Sequence, residues 1–275
     1  MDNYEGKLIS DMDFQKYLNL PKYLHCSELK MIQQSMNHWL SERGFPETKA
    51  LILGSLGHTM ILEMDKLTER YLVMPKVDAR TKNGKEQKML AQEQAKLEEK
   101  ILISQEDFTQ ALGWRENILK NPVTSNVFQK AKGENEVSGF FKHPDFDNIF
   151  GAFRVDKLLE EQKIAIDLKI MLSANPYAFS SSVKKFGYHM QAAWYIDGLK
   201  AITGDSYDFI FVVCEKSNPH NVQAYRLSEK DLERGRDDIR ATVKKYQDYH
   251  GANEDQRNRL SGYYDGIQTL EVFNY

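Results

Sequence analysis

Apolar residues recur at helical spacing in the first part of the chain. Residues 28–42 carry them on one helix face, and residues 49–63 are apolar on most sides, as in a buried helix. Residues 75–100 are rich in Lys, Glu and Gln, which predicts an exposed, mobile loop that runs into a polar helix. The face within 28–42 consists of Leu29, Ile32, Met36 and Leu40.

A capped helix is predicted over residues 104–119. Ser104 stands at the position of an N-cap residue. Glu106 and Asp107 place negative charge in the first turn, where the helix dipole favours it. A second, short helix is predicted over residues 122–131.

The pattern changes to β-strands in the second half. Three short segments rich in β-forming residues are separated by turn-forming residues. Residues 207–215 form a largely apolar run and are the clearest buried strand. A helix over 186–201 precedes it, and a strand over 220–227 and a charged helix over 228–249 follow it. The three short segments are residues 135–142, 150–159 and 163–171.

This order of elements predicts an α/β (α+β) fold, with a central mixed β-sheet flanked by helices and an N-terminal helical part. The length of 275 residues fits one large domain that contains an insertion. We therefore expect a single domain over 1–275. It would comprise an N-terminal helical segment (1–48) and a core (49–275) with a polar insertion at about 75–103.

Composition narrows the class of protein. Charged residues make up 28% of the chain and hydrophobic residues 41%, as in ordinary globular proteins. The net charge of −3 argues only weakly against nucleic acid, because an enzyme needs no more than a local basic track. Cys26 and Cys214 are far apart, which argues against a disulfide framework or a Cys-ligated cluster. The acidic N-terminus and the lack of an apolar run of about 20 residues predict a cytoplasmic protein without a membrane partner.

Two of the predicted strands bring charged residues together. If the polar turn between them is centred between Glu161 and Gln162, Asp156 lies directly opposite Asp167. Lys169 lies two residues beyond Asp167 and therefore projects from the same face. Like charges in opposed positions destabilise a sheet, whereas a divalent cation between them turns repulsion into attraction.

Two carboxylates and an ammonium group suit phosphodiester hydrolysis. Mg²⁺ takes carboxylate, water and phosphate oxygens, and an adjacent ammonium group can orient the attacking water. A chance Asp-x-Lys sequence is the alternative. The apolar neighbours Ile166, Leu168 and Ile170 favour the functional interpretation, because they imply a mostly buried strand. Charged residues are costly to bury in such a strand unless they are paired or bind a ligand.

The Asp156…Asp167-x-Lys169 hairpin resembles the core of the PD-(D/E)XK nuclease superfamily, which has a restriction-endonuclease-like fold. Further motifs resemble its RecB-like and RecE-like branch, the exodeoxyribonuclease VIII type of phages and prophages. They are Gly54-x-x-x-His58, Glu136 on the strand before the hairpin, and Gln191-x-x-x-Tyr195 after the lysine. The likeness covers nearly the whole chain, although no Pro precedes Asp156 as it does in many members.

The resemblance implies a role for each of these residues. Lys169 would contact the attacking water and the scissile phosphate, Gln191 would hold the water or a metal ligand, and Tyr195 would contact the DNA backbone. A solvated strand carboxylate at Glu136 and a core histidine at His58 are the alternatives. The residues expected to bind the metal are Asp156, Asp167, Glu136, His58 and, through its backbone carbonyl, Leu168.

Four basic residues in the predicted loop and polar helix are candidates for phosphate contact. Asp78 and Glu86 reduce the net positive charge of this segment. A solvated charged surface without a role in DNA binding is therefore an equal alternative. If the four hold DNA, their replacement should weaken binding and reduce its salt dependence together. They are Lys76, Arg80, Lys82 and Lys85.

The resemblance implies a Mg²⁺-dependent double-strand DNA exonuclease that acts processively from 5′ to 3′ on DNA ends and leaves single-stranded DNA for recombination. One or two Mg²⁺ ions per site are expected, with Mn²⁺ as a substitute. So are a ring-shaped homo-oligomer (trimer or tetramer) and a single-strand annealing protein as partner, in a bacterial host cell. The alternatives are a restriction-type endonuclease, a Cas4-like or RecB-like nuclease, and a non-catalytic DNA-binding protein on the same fold. Two cysteines are too few for the Cas4-like cluster, and an intact Asp156, Asp167 and Lys169 set argues against the non-catalytic protein.

Overall fold

A computed structural model describes residues 4–41, 48–78, 80–130 and 132–263. The strands are β1 (Lys7–Ile9), β2 (Leu24–His25), β3 (Tyr71–Val73), β4 (Ile101–Ile103), β5 (Glu134–Lys142), β6 (Phe150–Leu159), β7 (Ile164–Met171), β8 (Asp208–Glu215) and β9 (Val222–Arg226). The helices are α1 (Phe14–Leu18), α2 (Cys26–Gln34), α3 (Met36–Ser41), α4 (Lys49–Leu62), α5 (Leu67–Arg70), α6 (Lys82–Leu97), α7 (Gln105–Lys120), α8 (Pro122–Ser125), α9 (Pro176–Phe186), α10 (Tyr188–Thr203), α11 (Glu229–Gly251) and α12 (Glu254–Ser261).

A mixed sheet forms the centre of the molecule, in the order β1-β5-β6-β7-β8-β9, with β2 paired to β6. β5, β6 and β7 are antiparallel neighbours, β7 and β8 are parallel, and β9 is antiparallel to β8. The crossover between the parallel strands passes through α9 and α10. β3 and β4 form a separate parallel pair. The predicted central mixed sheet is confirmed.

Helices cover both faces of this sheet. Successive residues of β8 alternate between two cores, as strand geometry requires: Val213 packs in one and Val212 in the other. The first core includes Trp194 of α10 and residues of α9 and α11. The second includes Trp114 of α7 and residues of α4. The charged residues of the central strands therefore lie between layers of packed apolar side chains.

The helix predictions from the middle of the chain are confirmed. α4 coincides with the apolar stretch over 49–63, and its N-cap residue Thr48 accepts a hydrogen bond from the backbone of Leu51. α7 follows the predicted cap, since the Ser104 side chain accepts a hydrogen bond from the Asp107 backbone. Pro122 starts α8, which continues as a π-helical turn over Asn126–Lys130.

Other elements differ from the prediction. The helix predicted over 28–42 is divided into two helices at Ser35, which has an extended backbone (φ −167°, ψ 159°). The Ser35 hydroxyl oxygen accepts a hydrogen bond from the backbone N–H of His38. α9 was not predicted at all. The N-terminal part was predicted as helical, but it also adds β1 and β2 to the sheet. No helix within the described ranges is long and apolar enough to cross a membrane.

Candidate metal and catalytic site

The hairpin of β6 and β7 has the predicted register. Its paired residues are Leu159 with Ile164, Leu158 with Ala165, and Lys157 with Ile166. The next pair in this register would be Asp156 with Asp167, but the described ladder ends before it. Instead, Oδ2 of Asp156 accepts the backbone N–H of Leu168 at 2.6 Å. The strands thus separate at the two aspartates. The Asp156 side chain, and not a backbone carbonyl, accepts the hydrogen bond from the backbone N–H of Leu168.

The backbone is irregular at the same level of β5 and β6. Glu136 has a left-handed conformation (φ 54°) in mid-strand, which costs about 1–3 kcal/mol for a residue other than glycine. On β6, Val155 and Leu158 both pack in the core against α10, so the alternation of faces shifts by one residue across Asp156. The irregularity turns Glu136 and Asp156 out of the apolar core and towards α4.

His58, Glu136 and Asp156 form an acidic cluster completed by an imidazole. One potential ligand atom from each lies within 4.8 Å of those of the other two. Nδ1 of His58 is 3.6 Å from Oδ1 of Asp156 and 3.9 Å from Oε1 of Glu136. The other oxygen of Glu136 accepts a hydrogen bond from Nε of Arg154 at 2.7 Å. Three elements, α4, β5 and β6, therefore converge on one point.

The ring of His58 is oriented by β7. Its Nε2 atom is 3.1 Å from the carbonyl oxygen of Leu168, which can only accept a hydrogen bond. Nε2 must therefore carry the proton, and in the neutral ring the lone pair of Nδ1 faces the carboxylates. Metal-binding histidines commonly have this arrangement, in which a backbone carbonyl fixes the second nitrogen.

The three side chains of the cluster shift one another's pKa. Burial raises the pKa of Asp156 to about 7, against the opposing effect of His58. Burial alone would lower the pKa of His58, but Asp156 and Glu136 raise it to about 9. Burial also opposes the charge of Glu136, whose pKa is nevertheless held below its usual range by His58 and Arg154. Without a metal, a proton on His58 thus offsets part of the negative charge of the two acids.

Lys169 lies beside this cluster and is held from three sides. Its Nζ atom is 2.6 Å from Oδ2 of Asp167 and donates to Oε1 of Gln191 at 3.4 Å. It also lies over the ring of Tyr188, 4.7 Å from the ring centre. Burial disfavours the charged amine, but Asp167 outweighs it and raises the pKa of Lys169. The contacts with Asp167, Gln191 and Tyr188 therefore fix the position of Lys169 and favour its charged form.

Asp167 is engaged differently from the prediction. Its Oδ1 atom accepts a short hydrogen bond from Nε2 of Gln191, and its Oδ2 atom pairs with Lys169. It is not among the three residues of the cluster. The carbonyl of Leu168 is occupied by His58. Metal binding by Asp167 and Leu168 stays a prediction, while the structure brings the other three predicted ligands together.

The donor set of the cluster fits a divalent cation. Two carboxylates from separate strands suit Mg²⁺ and Mn²⁺, and the imidazole nitrogen is a better ligand for Mn²⁺ than for Mg²⁺. The three side chains are partly buried, so a proton or a cation is needed to offset their negative charge. His58, Glu136 and Asp156 are the residues that would hold the ion.

Tyr195, predicted to contact DNA, lies largely in the core. Only 9% of it is exposed, and its ring packs against Phe153 and Phe209 in the core. Tyr195 therefore has little surface to offer, and its contact with the DNA backbone stays a prediction. Periodicity placed it correctly on the helix face of Gln191 but could not show how deeply that face is covered.

The four basic residues proposed for phosphate contact are all exposed. Lys76 and Arg80 lie before α6, and Lys82 and Lys85 lie in its first turns. In the described ranges none of them forms an ion pair with a carboxylate. Their charge is therefore available to a partner.

Sequence reasoning missed two residues of the site. Arg154 binds Glu136, and its NH1 group also donates to the carbonyl of Met12. Its position two residues before Asp156 was a usable signal, because alternate strand residues share a face. Tyr188 contacts Lys169 through its ring, and no sequence spacing relates the two.

Comparison with known proteins identifies the family and the fold. The chain belongs to the family described as a PDDEXK-like domain of unknown function (DUF3799), whose pattern matches residues 17–258. The fold is thus the predicted PD-(D/E)XK fold. No curated protein matches the chain.

Two solved structures show the extent of the likeness. A crystal structure described as a "Putative exonuclease" from Eubacterium rectale superposes with a TM-score of 0.61 at 12% identity, over 95% of this chain and 96% of the other. At this identity the match supports the fold alone. An alkaline exonuclease from Laribacter hongkongensis matches at 10% identity over 90% of this chain and 100% of the other. Its TM-score of 0.35 is too low to support an argument.

Proposed function

We propose that this protein is a divalent-metal-dependent DNA nuclease. The observation that carries the proposal is the placement of the His58–Glu136–Asp156 cluster beside a fixed ammonium group, Lys169, where β6 and β7 separate. A partly buried group of acids with one imidazole is costly to maintain without a ligand. The strained backbone of Glu136 adds to that cost and points to a functional reason.

Each side chain has a task in this proposal. Asp156, Glu136 and His58 hold the ion, and Arg154 fixes the orientation of Glu136. A bound Mg²⁺ or Mn²⁺ would supply an activated water and neutralise charge on the phosphate. Gln191 connects Asp167 to Lys169 and keeps both in place.

Lys169 would act on the phosphate and the attacking water as a cation. Its raised pKa keeps the ammonium group charged, so it is unsuited to serve as a general base at neutral pH. It is suited to donate hydrogen bonds to the water and to a phosphate oxygen, where negative charge develops during hydrolysis. The ion pair with Asp167 limits its movement, so little reorganisation is needed.

The finer assignment is a double-strand DNA exonuclease that acts on DNA ends, processively from 5′ to 3′, and leaves single-stranded DNA for strand annealing. It is supported by the resemblance of the Gly54-x-x-x-His58, Glu136 and Gln191-x-x-x-Tyr195 motifs to the RecE-like branch. A ring-shaped trimer or tetramer, a single-strand annealing partner and a phage or prophage origin in a bacterial cytoplasm belong to the same proposal. So does a single nuclease domain over 1–275.

A cleavage assay on two DNA forms tests the assignment. Linear duplex labelled at either the 5′ or the 3′ end is incubated with Mg²⁺ or Mn²⁺ beside covalently closed circular duplex. An exonuclease releases nucleotides from the linear form and leaves the circle intact. Early release of the 5′ label alone supports the proposed polarity. Cutting of the circle would favour a restriction-type endonuclease.

The exposed lysine and arginine residues before and in α6 are proposed to contact the DNA backbone. A variant with Lys76, Arg80, Lys82 and Lys85 replaced by Gln should bind duplex more weakly. The dependence of log Kd on log salt should become shallower by about 0.9 for each phosphate that the variant no longer neutralises. An unchanged slope would remove these residues from the DNA-binding surface.

A further inference from the structure

Two lysine ammonium groups lie over one aromatic ring beside the metal cluster. Nζ of Lys169 is 4.7 Å from the ring centre of Tyr188, and Nζ of Lys30 is 5.3 Å from it. Lys30 belongs to α2, so the N-terminal part of the chain contributes a cation next to a site built by the sheet, α4 and α10. The position of Lys30 is what requires an explanation.

The stem of Lys30 crosses the junction between α9 and α10. Gly187 closes α9 in a left-handed conformation (φ 62°), and a Cβ atom there would lie 3.4 to 3.6 Å from the carbon atoms of the Lys30 stem. The aliphatic part of the Lys30 side chain therefore packs directly against the backbone of Gly187, which has no side chain. This contact directs the ammonium group over the next residue, Tyr188.

Lys30 has no carboxylate partner in the described part of the chain, whereas Lys169 has one. Asp167 is paired with Lys169 at 2.6 Å. Glu28, two residues before Lys30, accepts hydrogen bonds from the backbone of His25 and from the indole of Trp39. Asp167 and Glu28 are thus already engaged.

The charge on Lys30 is therefore poorly compensated in the free protein. Burial lowers the pKa of Lys30, and the positive charge of Lys169 lowers it further, although Cys26 and Asp167 act in the opposite direction. The ring of Tyr188 offers some cation–π stabilisation to both ammonium groups, but much less than an anion would. Two partly desolvated cations beside one ring are unfavourable until a ligand brings negative charge.

We propose that Lys30 is a DNA-binding residue that holds the backbone phosphate next to the one held at Lys169. Phosphates repeat regularly along a DNA strand. Two ammonium groups beside one ring can therefore bind two successive phosphates, one each. Lysine serves such contacts as a flexible point charge. The proposal rests on the nuclease function proposed above, and it makes α2 a part of the substrate track.

Binding of a fluorescent duplex, with Ca²⁺ in place of Mg²⁺, tests this role. Lys30→Met should raise Kd about tenfold and make the salt dependence shallower by about one phosphate contact. Lys30→Arg keeps the charge and should retain the wild-type slope. Lys245→Met is the matched control, because Lys245 is also a half-buried helical lysine with a pKa lowered by burial, and it forms no ion pair in the described ranges. It should leave both values unchanged.

Thermal unfolding separates a binding role from a structural one. If Lys30 is an uncompensated cation kept for its ligand, Lys30→Met should unfold at the wild-type temperature or about 2–4 °C above it. Wild-type affinity and slope in Lys30→Met would overturn the proposal, and so would an equal loss of affinity in Lys245→Met. A wild-type protein that neither binds nor cuts DNA would instead overturn the nuclease function itself. A protein that cuts DNA while Lys30→Met binds normally would overturn only the role of Lys30.

Discussion

The carboxylate of Asp156 accepts the backbone N–H of Leu168 at 2.6 Å. The carbonyl of the same residue, Leu168, lies 3.1 Å from Nε2 of His58. Both backbone groups of Leu168 thus position candidate metal ligands, and its neighbours Asp167 and Lys169 form the ion pair beside them. β7 therefore fixes the distance between the His58–Glu136–Asp156 cluster and Lys169.

Replacement of Asp156 should abolish metal binding. In Asp156→Asn the side-chain oxygen can still accept the N–H of Leu168, so the fold should be retained while one charged ligand is removed. Saturating Mn²⁺ or Mg²⁺ should raise the unfolding temperature of the wild-type protein by about 5 °C or more, and EDTA should reverse the shift. Differential scanning fluorimetry should show no such shift in Asp156→Asn. An equal shift in both proteins would place the ion elsewhere.

Replacement of Lys169 should reduce turnover more than binding. Lys169→Met keeps the length of the side chain but removes the cation, and kcat should fall by about 10²–10³. Lys157→Met is a matched control on the neighbouring strand, because Lys157 is also buried and, among the residues that the structure describes, donates only to Oδ1 of Asn135. Its kcat should stay within about threefold of wild type. Single-turnover rates measure the difference, and similar reductions in both variants would indicate damage to the sheet instead.

Two glycines on α4 should respond in opposite directions to alanine. A Cβ atom on Gly57 would lie 3.1 Å from Ile170 and 3.2 Å from Trp114, whereas one on Gly54 would meet nothing within 4 Å. Gly57→Ala should therefore push α4 and His58 from the sheet and cost about 1–3 kcal/mol of stability, with a reduction in activity. Gly54→Ala should stabilise the protein by about 0.5–1 kcal/mol. Urea unfolding compares the two, and a Gly57→Ala protein with wild-type stability and activity would contradict this view of the helix–sheet contact.

His143 should make stability depend on pH. It is buried against Trp194 and Phe146, and its Nδ1 atom accepts the backbone N–H of Asp145. Burial lowers its pKa, and Arg240 lowers it further, although Asp145 and Asp197 act in the opposite direction. The folded protein thus holds the ring neutral, while the unfolded chain binds a proton below a pH of about 6.5.

The sign of this effect follows from linkage. The stabilisation that His143 provides is complete above its unfolded pKa, and it disappears as the pH falls below that value. His143→Asn keeps an acceptor for Asp145 but cannot titrate. Urea unfolding at pH 7.5 and pH 5.5 should therefore show a smaller decrease of stability in His143→Asn than in the wild-type protein. An equal decrease would exclude His143 as a contributor.

The local rules of strand geometry predicted the hairpin correctly. The turn between Glu161 and Gln162 and the alternation of β7 were enough to give the register, because a polar turn and an apolar strand leave few other pairings. The same rules could not show that the ladder ends at Asp156, because that depends on α4, which places His58 against Leu168. Long-range packing also decides the left-handed backbone of Glu136.

Buried and short elements were the hardest to predict. The two-residue strand β2 depends on pairing with β6, which no local pattern encodes. Tyr195 shares a helix face with Gln191, but one approaches the site and the other is covered by Phe153 and Phe209. Lys30 lies more than a hundred residues from Tyr188 in the sequence, so their contact appears only in the folded chain.

The most direct test of the central claim is metal-dependent cleavage by the wild-type protein and by Asp167→Asn. Asp167→Asn removes the anion that holds Lys169 while leaving the His58–Glu136–Asp156 cluster in place. A labelled linear duplex is incubated with each protein in Mg²⁺, in Mn²⁺ and in EDTA. We expect cleavage by the wild-type protein in either metal and none in EDTA, with the rate of Asp167→Asn lower by at least about 10². Cleavage in EDTA, or wild-type rates in Asp167→Asn, would contradict the proposed site.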